Sequence, residues 1–122
     1  MAKKRGIKKR NQYHDKLRKK ENKIRNSGNV VSMKKEDIIK AMDNHGFMDY
    51  RINPWGSINL KSKFDYWIIE ADDSVVYLKH GNEKLLRVGN ERSSYHLHNV
   101  FYDLDFCIKS IKEHDEFKSR RV

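Results

Sequence analysis

Period-two alternation of apolar and polar residues dominates the middle of the chain, and helical spacing dominates its two ends. The run Phe64 to Ala71 (FDYWIIEA) is aromatic and β-branched, and Asp72-Asp73-Ser74 closes it as a hairpin turn. Val75 to His80 (VVYLKH) predicts the next strand, Gly81-Asn82 the next turn, and Lys84 to Val88 (KLLRV) a third strand. A polar stretch from Gly89 to Ser94 leads to Tyr95 to Phe101 (YHLHNVF), a fourth strand. Ahead of these, Ile38, Ile39, Ala41 and Met42 give one apolar side to a helix over Met33 to Asn44, with Ser32 as N-cap and Gly46 at the left-handed C-terminal position. Behind them, Leu104, Cys107, Ile108 and Ile111 mark a helix over Leu104 to His114, capped by Asp103. Between Phe47 and Leu60, Asn53-Pro54-Trp55-Gly56 reads as a turn with short extended pieces on either side. The expected fold class is α+β: a small antiparallel sheet of about four strands with helices on one face.

Alternation divides that sheet. Trp67, Ile69, Ala71, Val76, Leu78, Leu86, Val88, Leu97 and Phe101 are expected beneath the helices, and Tyr66, Ile68, Tyr77, Lys79, Arg87, His96 and His98 on the opposite side. A bulge in any strand would move its residues by one.

Charge separates the N-terminus from this domain. The 122-residue chain carries a formal +10, yet residues 1–27 hold 12 of its 27 Lys and Arg and only Asp15 and Glu21 as acids. The remainder has equal numbers of basic and acidic residues, so a neutral domain (residues 30–122) follows a cationic arm and hinge (residues 1–29). Asn26-Ser27-Gly28-Asn29 punctuates the boundary. Within the arm, Tyr13, Leu17 and Ile24 would form a narrow stripe if Lys8 to Arg25 became helical. Three apolar side chains bury too little to offset about 1–2 kcal/mol of backbone entropy per residue. The expectation is therefore a helix-prone, frayed arm that orders on a partner.

The arm is the strongest chemical signal. Lys3, Lys4, Arg5, Lys8, Lys9, Arg10, Lys16, Arg18, Lys19, Lys20, Lys23 and Arg25 are candidate phosphate contacts, because a polyanion binds such a segment by releasing condensed counterions. Tyr13, Tyr66, Tyr77, His96 and His98 are candidate stacking residues for unpaired bases. The partner expected is nucleic acid, RNA slightly ahead of DNA, or a ribonucleoprotein; no membrane and no small-molecule substrate is indicated. His96-x-His98 puts two imidazoles on one side of a strand, but His45, His80, His114 and Cys107 complete no site at ligand spacing, and no metal or other cofactor is expected. General acid–base cleavage of RNA by His96 or His98, as in small ribonuclease toxins, is the enzyme alternative to a non-enzymatic binding protein. The single Cys107 excludes an internal disulfide, and the first ten residues lack a secretory apolar core; a cytoplasmic location is expected.

The whole layout, a Lys/Arg arm from Lys3 to Arg25 ahead of a small near-neutral domain, resembles small proteins of bacterial phages and mobile elements, some anti-CRISPR proteins among them. The resemblance implies inhibition by binding an RNA-guided nuclease and its guide RNA, with the arm on RNA or in an acidic groove. It carries no matched motif, so it assigns no residue. A neutral body also lacks the acidic face that mimicry of DNA requires.

Overall fold

The computed structural model describes residues 2–81 and 95–120, with side chains from residue 12 onward. The elements run α1 (Ala2–Asn26), α2 (Lys35–His45), β1 (Tyr50–Ile52), β2 (Ile58–Lys61), β3 (Tyr66–Ala71), β4 (Val76–Gly81), β5 (Tyr95–Phe101) and α3 (Leu104–Ser119). The strands form one antiparallel sheet in the order β1-β2-β3-β4-β5, each pairing with its sequence neighbours. The fold is α+β with five strands rather than about four, because the extended pieces flanking the Asn53–Gly56 turn pair as β1 and β2. The strand expected over Lys84 to Val88, with Leu86, Arg87 and Val88, lies outside the described residues.

Local signals set the helix ends. Asp103 accepts a hydrogen bond from the Phe106 amide at 2.8 Å, and α3 runs one turn beyond His114. Gly46 ends α2 at φ 77°, a conformation that a side chain would strain. Ser32 does not cap α2: the cap position is Lys34, and Ser32 Oγ bonds Asp37 instead. The main core lies between one sheet face and helices α2 and α3. Trp67, Ile69, Val76 and Leu78 meet Ile38, Met42, Cys107, Ile108 and Ile111 there, all buried.

The arm departs most from expectation. It is a continuous helix, and its second half docks on the far side of the sheet rather than fraying. Ile24 is fully buried against Val75 and Val100, with Tyr77 and Leu97 beside them, and Leu17 is buried on the same stripe. The physical reason is that the stripe's apolar partner is the chain's own sheet. The turn after it is also fixed, since Asn29 Nδ2 donates to the carbonyls of Ser74 (2.8 Å) and Tyr102 (2.6 Å). It acts as a clamp between two loops, not as a hinge.

The second departure is a β-bulge. Leu78 opposes Asn99 while Lys79 opposes Leu97, so His98 is an inserted residue in β5. The face assignment before it therefore reverses. His96 pairs with His80 on the α3 side, and Leu97 moves to the outer side beside Tyr77.

Candidate nucleic-acid interface and a histidine cluster

Helical geometry turns Tyr13, Leu17, Lys20, Glu21 and Ile24 of α1 toward the sheet, and polar contacts fasten that face. Tyr13 Oη donates to the His98 carbonyl at 2.5 Å. Lys20 Nζ donates to Asn99 Oδ1 at 3.0 Å and lies over the Phe101 ring, 4.7 Å from its centroid; burial lowers its pKa. Arg25 pairs with Asp72 at 2.5 Å and with Glu21 at 3.1 Å, and it donates to Tyr77 Oη, which itself donates to Glu21 at 2.5 Å. Burial, reinforced by Glu21, pushes the Tyr77 phenol up to about 12.

These contacts sort the predicted cations. Arg25 and Lys20 are engaged in docking, and Arg18 pairs with Asp15 at 2.7 Å on the surface. Lys16, Lys19 and Lys23 stand exposed at spacings of three and four along one flank of the helix, and none pairs with a carboxylate among the described residues. Lys3, Lys4, Arg5, Lys8, Lys9 and Arg10 fall on the first turns of the same helix; their side chains lie outside the described residues.

Lys20, which lines both, joins two hollows beside β5, and Lys16 of the flank lines one of them. One is lined by Tyr13, Lys16, Leu17, Lys20, His98 and Asn99, and the other by Lys20, Phe101, Tyr102, Phe106 and Lys109 with Ser110 and Glu113. Phe106 is 57% exposed on α3, beside Lys109. Phe106 lies off the buried stripe of α3, and the fold sets it beside Lys20 of the basic helix.

The predicted stacking platform is dispersed. Tyr77 is covered by α1, Tyr13 is hydrogen-bonded through its hydroxyl yet keeps nearly half its surface exposed, and Tyr66 is half-buried with Lys61 over its ring at 5.6 Å. The uncovered part of the outer sheet face presents Arg51, Asn59, Ile68, Glu70 and Lys79, the last two joined by a 3.1 Å ion pair. Trp55 stands at its rim, 79% exposed on the Asn53–Gly56 turn rather than closing a core edge.

His96 and His98, displaced by the bulge, join His80 of β4 and His114 of α3 around the edge of Trp67. The Trp67 ring lies 4.5 Å from His80, 5.4 Å from His98 and 5.0 Å from His114, and His96 is 5.2 Å from His80, centroid to centroid. Trp67 is fixed in turn. Its Nε1 donates to Ser62 Oγ at 2.9 Å, and Ser62 donates to buried Asp115 at 2.8 Å. The Lys63 amide donates to the other Asp115 oxygen at 3.0 Å, tying the β2–β3 turn to α3.

That turn also delivers Asp65, only 2% exposed, to the histidines. Its carboxylate lies 3.1 Å from His80 Nε2, 3.4 Å from His114 Nδ1 and 2.6 Å from Lys118 Nζ. Burial alone would raise the Asp65 pKa, but Lys118 and His80 together hold it below the ordinary value. Burial lowers His80 despite Asp65, and lowers His98 to about 4 with help from the neighbouring imidazoles. Residue spacing gave no sign of this convergence, since the contributors come from four separate segments. Cys107 takes no part: burial, then Asp103, raises its thiol pKa far above the usual range, which leaves an inert core group.

No helix among the described residues is long and apolar enough to cross a membrane. Comparison of the chain with family models, with curated proteins and with solved structures finds no match.

Proposed function

We propose that this chain is a non-enzymatic nucleic-acid-binding or ribonucleoprotein-binding protein whose electrostatic contact is the docked helix α1, with RNA the favoured ligand. One observation carries the reading. Docking onto the sheet turns the arm's charge into a fixed flank of exposed Lys16, Lys19 and Lys23, with Lys16 and Lys20 lining one hollow and Lys20 a second that holds Lys109 and exposed Phe106. Phosphates would lie along the lysines, and an unpaired base would stack on Phe106 or on the open ring of Tyr13. The cations from Lys3 to Arg10 would extend the phosphate track along the same helix. Within this class, an RNA-guided nuclease with its guide RNA is the candidate ribonucleoprotein.

The test is fluorescence anisotropy of a labelled single-stranded RNA across a salt series, comparing wild type with K16Q/K19Q/K23Q. Loss of three phosphate contacts is expected to reduce the magnitude of the log–log salt slope by about 2 and to weaken binding at low salt. An unchanged slope and affinity would overturn the assignment. The ribonuclease alternative gains one observation, the gathering of His96 and His98 with His80, His114 and Lys118, and the same RNA decides it. Cleavage that disappears in H96A favours the enzyme, whereas RNA left intact after long incubation rejects it.

A further inference from the structure

The histidine cluster has a geometry that the nucleic-acid reading does not use. Ring nitrogens of His80, His96 and His98 lie within 4.8 Å of one another, and so do ligand atoms of Asp65, His80 and His114. Behind His80 the buried carboxylate of Asp65 is already occupied, by His80 Nε2 at 3.1 Å, Lys118 Nζ at 2.6 Å and His114 Nδ1 at 3.4 Å. The framework around these groups is stiff, because Trp67 is held between Ser62 and the core while β4, β5 and α3 each fix a ring.

We propose that His80, His96 and His98 form a binding site for a divalent late-transition ion, zinc foremost, with Asp65 as the supporting carboxylate behind His80. Three imidazoles without a thiolate suit zinc, nickel or copper and are a poor set for magnesium or calcium, which take oxygen donors. Lys118 decides between the two overlapping groups. Its ammonium sits 2.6 Å from Asp65, so a cation on Asp65 and His114 would meet a positive charge at once. The three-histidine group does not include Asp65, the carboxylate that holds that ammonium. A carboxylate in Asp65's position fixes the orientation of a ligating imidazole, as outer-shell partners of metal-bound histidines do. Zinc–nitrogen bonds of about 2.0–2.1 Å require nitrogens roughly 3.4 Å apart, so from separations within 4.8 Å the rings close by at most about 1.4 Å, within reach of side-chain rotation. His96 is exposed, which gives the ion an entry path and leaves a fourth position to water or a ligand atom.

The experiment uses the full chain, stripped with chelator and titrated with zinc against a chromophoric competitor, with cobalt as the spectroscopic probe. One equivalent of zinc should bind, the cobalt form should show the intense visible bands of a tetrahedral site, and thermal unfolding should move upward with zinc. The His96→Gln variant tests the assignment without disturbing the core, because its side chain is at the surface; circular dichroism confirms its fold. It should weaken zinc binding at least 100-fold, while His45→Gln, on the distant helix α2, leaves it unchanged. No stoichiometric binding in the wild type would overturn the proposal, as would equal affinity in the His96→Gln protein or displacement of zinc by equimolar magnesium.

Discussion

Ile24 is the residue that converts a charged segment into part of the fold. It is fully buried, yet its neighbours on the helix are Lys23 and Arg25. It fills the gap between Val75 and Val100, where Tyr77 and Leu97 complete the wall. Truncation of such a side chain removes transfer free energy and leaves a cavity, at a cost of roughly 2–5 kcal/mol in well-packed sites. The cluster is small and lies near the surface, so Ile24→Ala is expected to cost about 2–3 kcal/mol in denaturant unfolding, the lower part of that range. A loss below about 0.5 kcal/mol, the scale of ordinary surface substitutions, would mean that the helix is not seated as described. Lys23→Ala is the matched control, since its side chain is exposed on the same helix.

Among the elements, α1 is held by an apolar seam and by a pH-sensitive clasp. Asp72 is kept below the ordinary carboxylate range, chiefly by the hydrogen bond from Arg25, which outweighs a smaller effect of burial. Its folded pKa lies below its unfolded value near 3.9, so the clasp contributes fully above that value and is lost as pH falls through the folded pKa. Hydrogen exchange of the α1 amides should therefore show weaker protection below about pH 4, and Asp72→Asn should produce part of that loosening at neutral pH. Unchanged protection in Asp72→Asn would assign docking to Leu17 and Ile24 alone. How far these elements were legible in the sequence follows from how local their causes are. Asp103, Gly46 and the Asp72–Ser74 turn act within a few residues, so each was readable where it stood. The stripe Tyr13, Leu17, Ile24 was visible too, but not its partner, because Val75 and Val100 meet it only across the chain. The bulge was invisible: YHLHNVF alternates smoothly, and His98 becomes an insertion only when β4 is laid beside it. With it went the histidine cluster, assembled from positions 65, 80, 96, 98 and 114.

For the whole molecule, the charge division and the structural division fall in different places. All of the net +10 belongs to residues 1–27, which suggests a detachable arm. The contacts do not respect that division: Tyr13, Leu17, Lys20, Glu21, Ile24 and Arg25 belong to the folded body. Two truncations separate charge from fold. Removing residues 1–11 takes away six cations and none of these contacts, so stability should stay within about 0.5 kcal/mol of the full chain. Salt-dependent RNA binding should weaken in that variant, because counterion release scales with the phosphates neutralised. Removing residues 1–27 uncovers Val75, Val100, Leu97 and Tyr77, an apolar strip on the outer sheet face. That protein should unfold at lower denaturant concentration and bind a hydrophobic dye or self-associate. If it instead matched the full chain in stability and stayed monomeric, α1 would be a ligand of the sheet rather than part of the domain. RNA binding would then have to be measured on the sheet face that α1 covers.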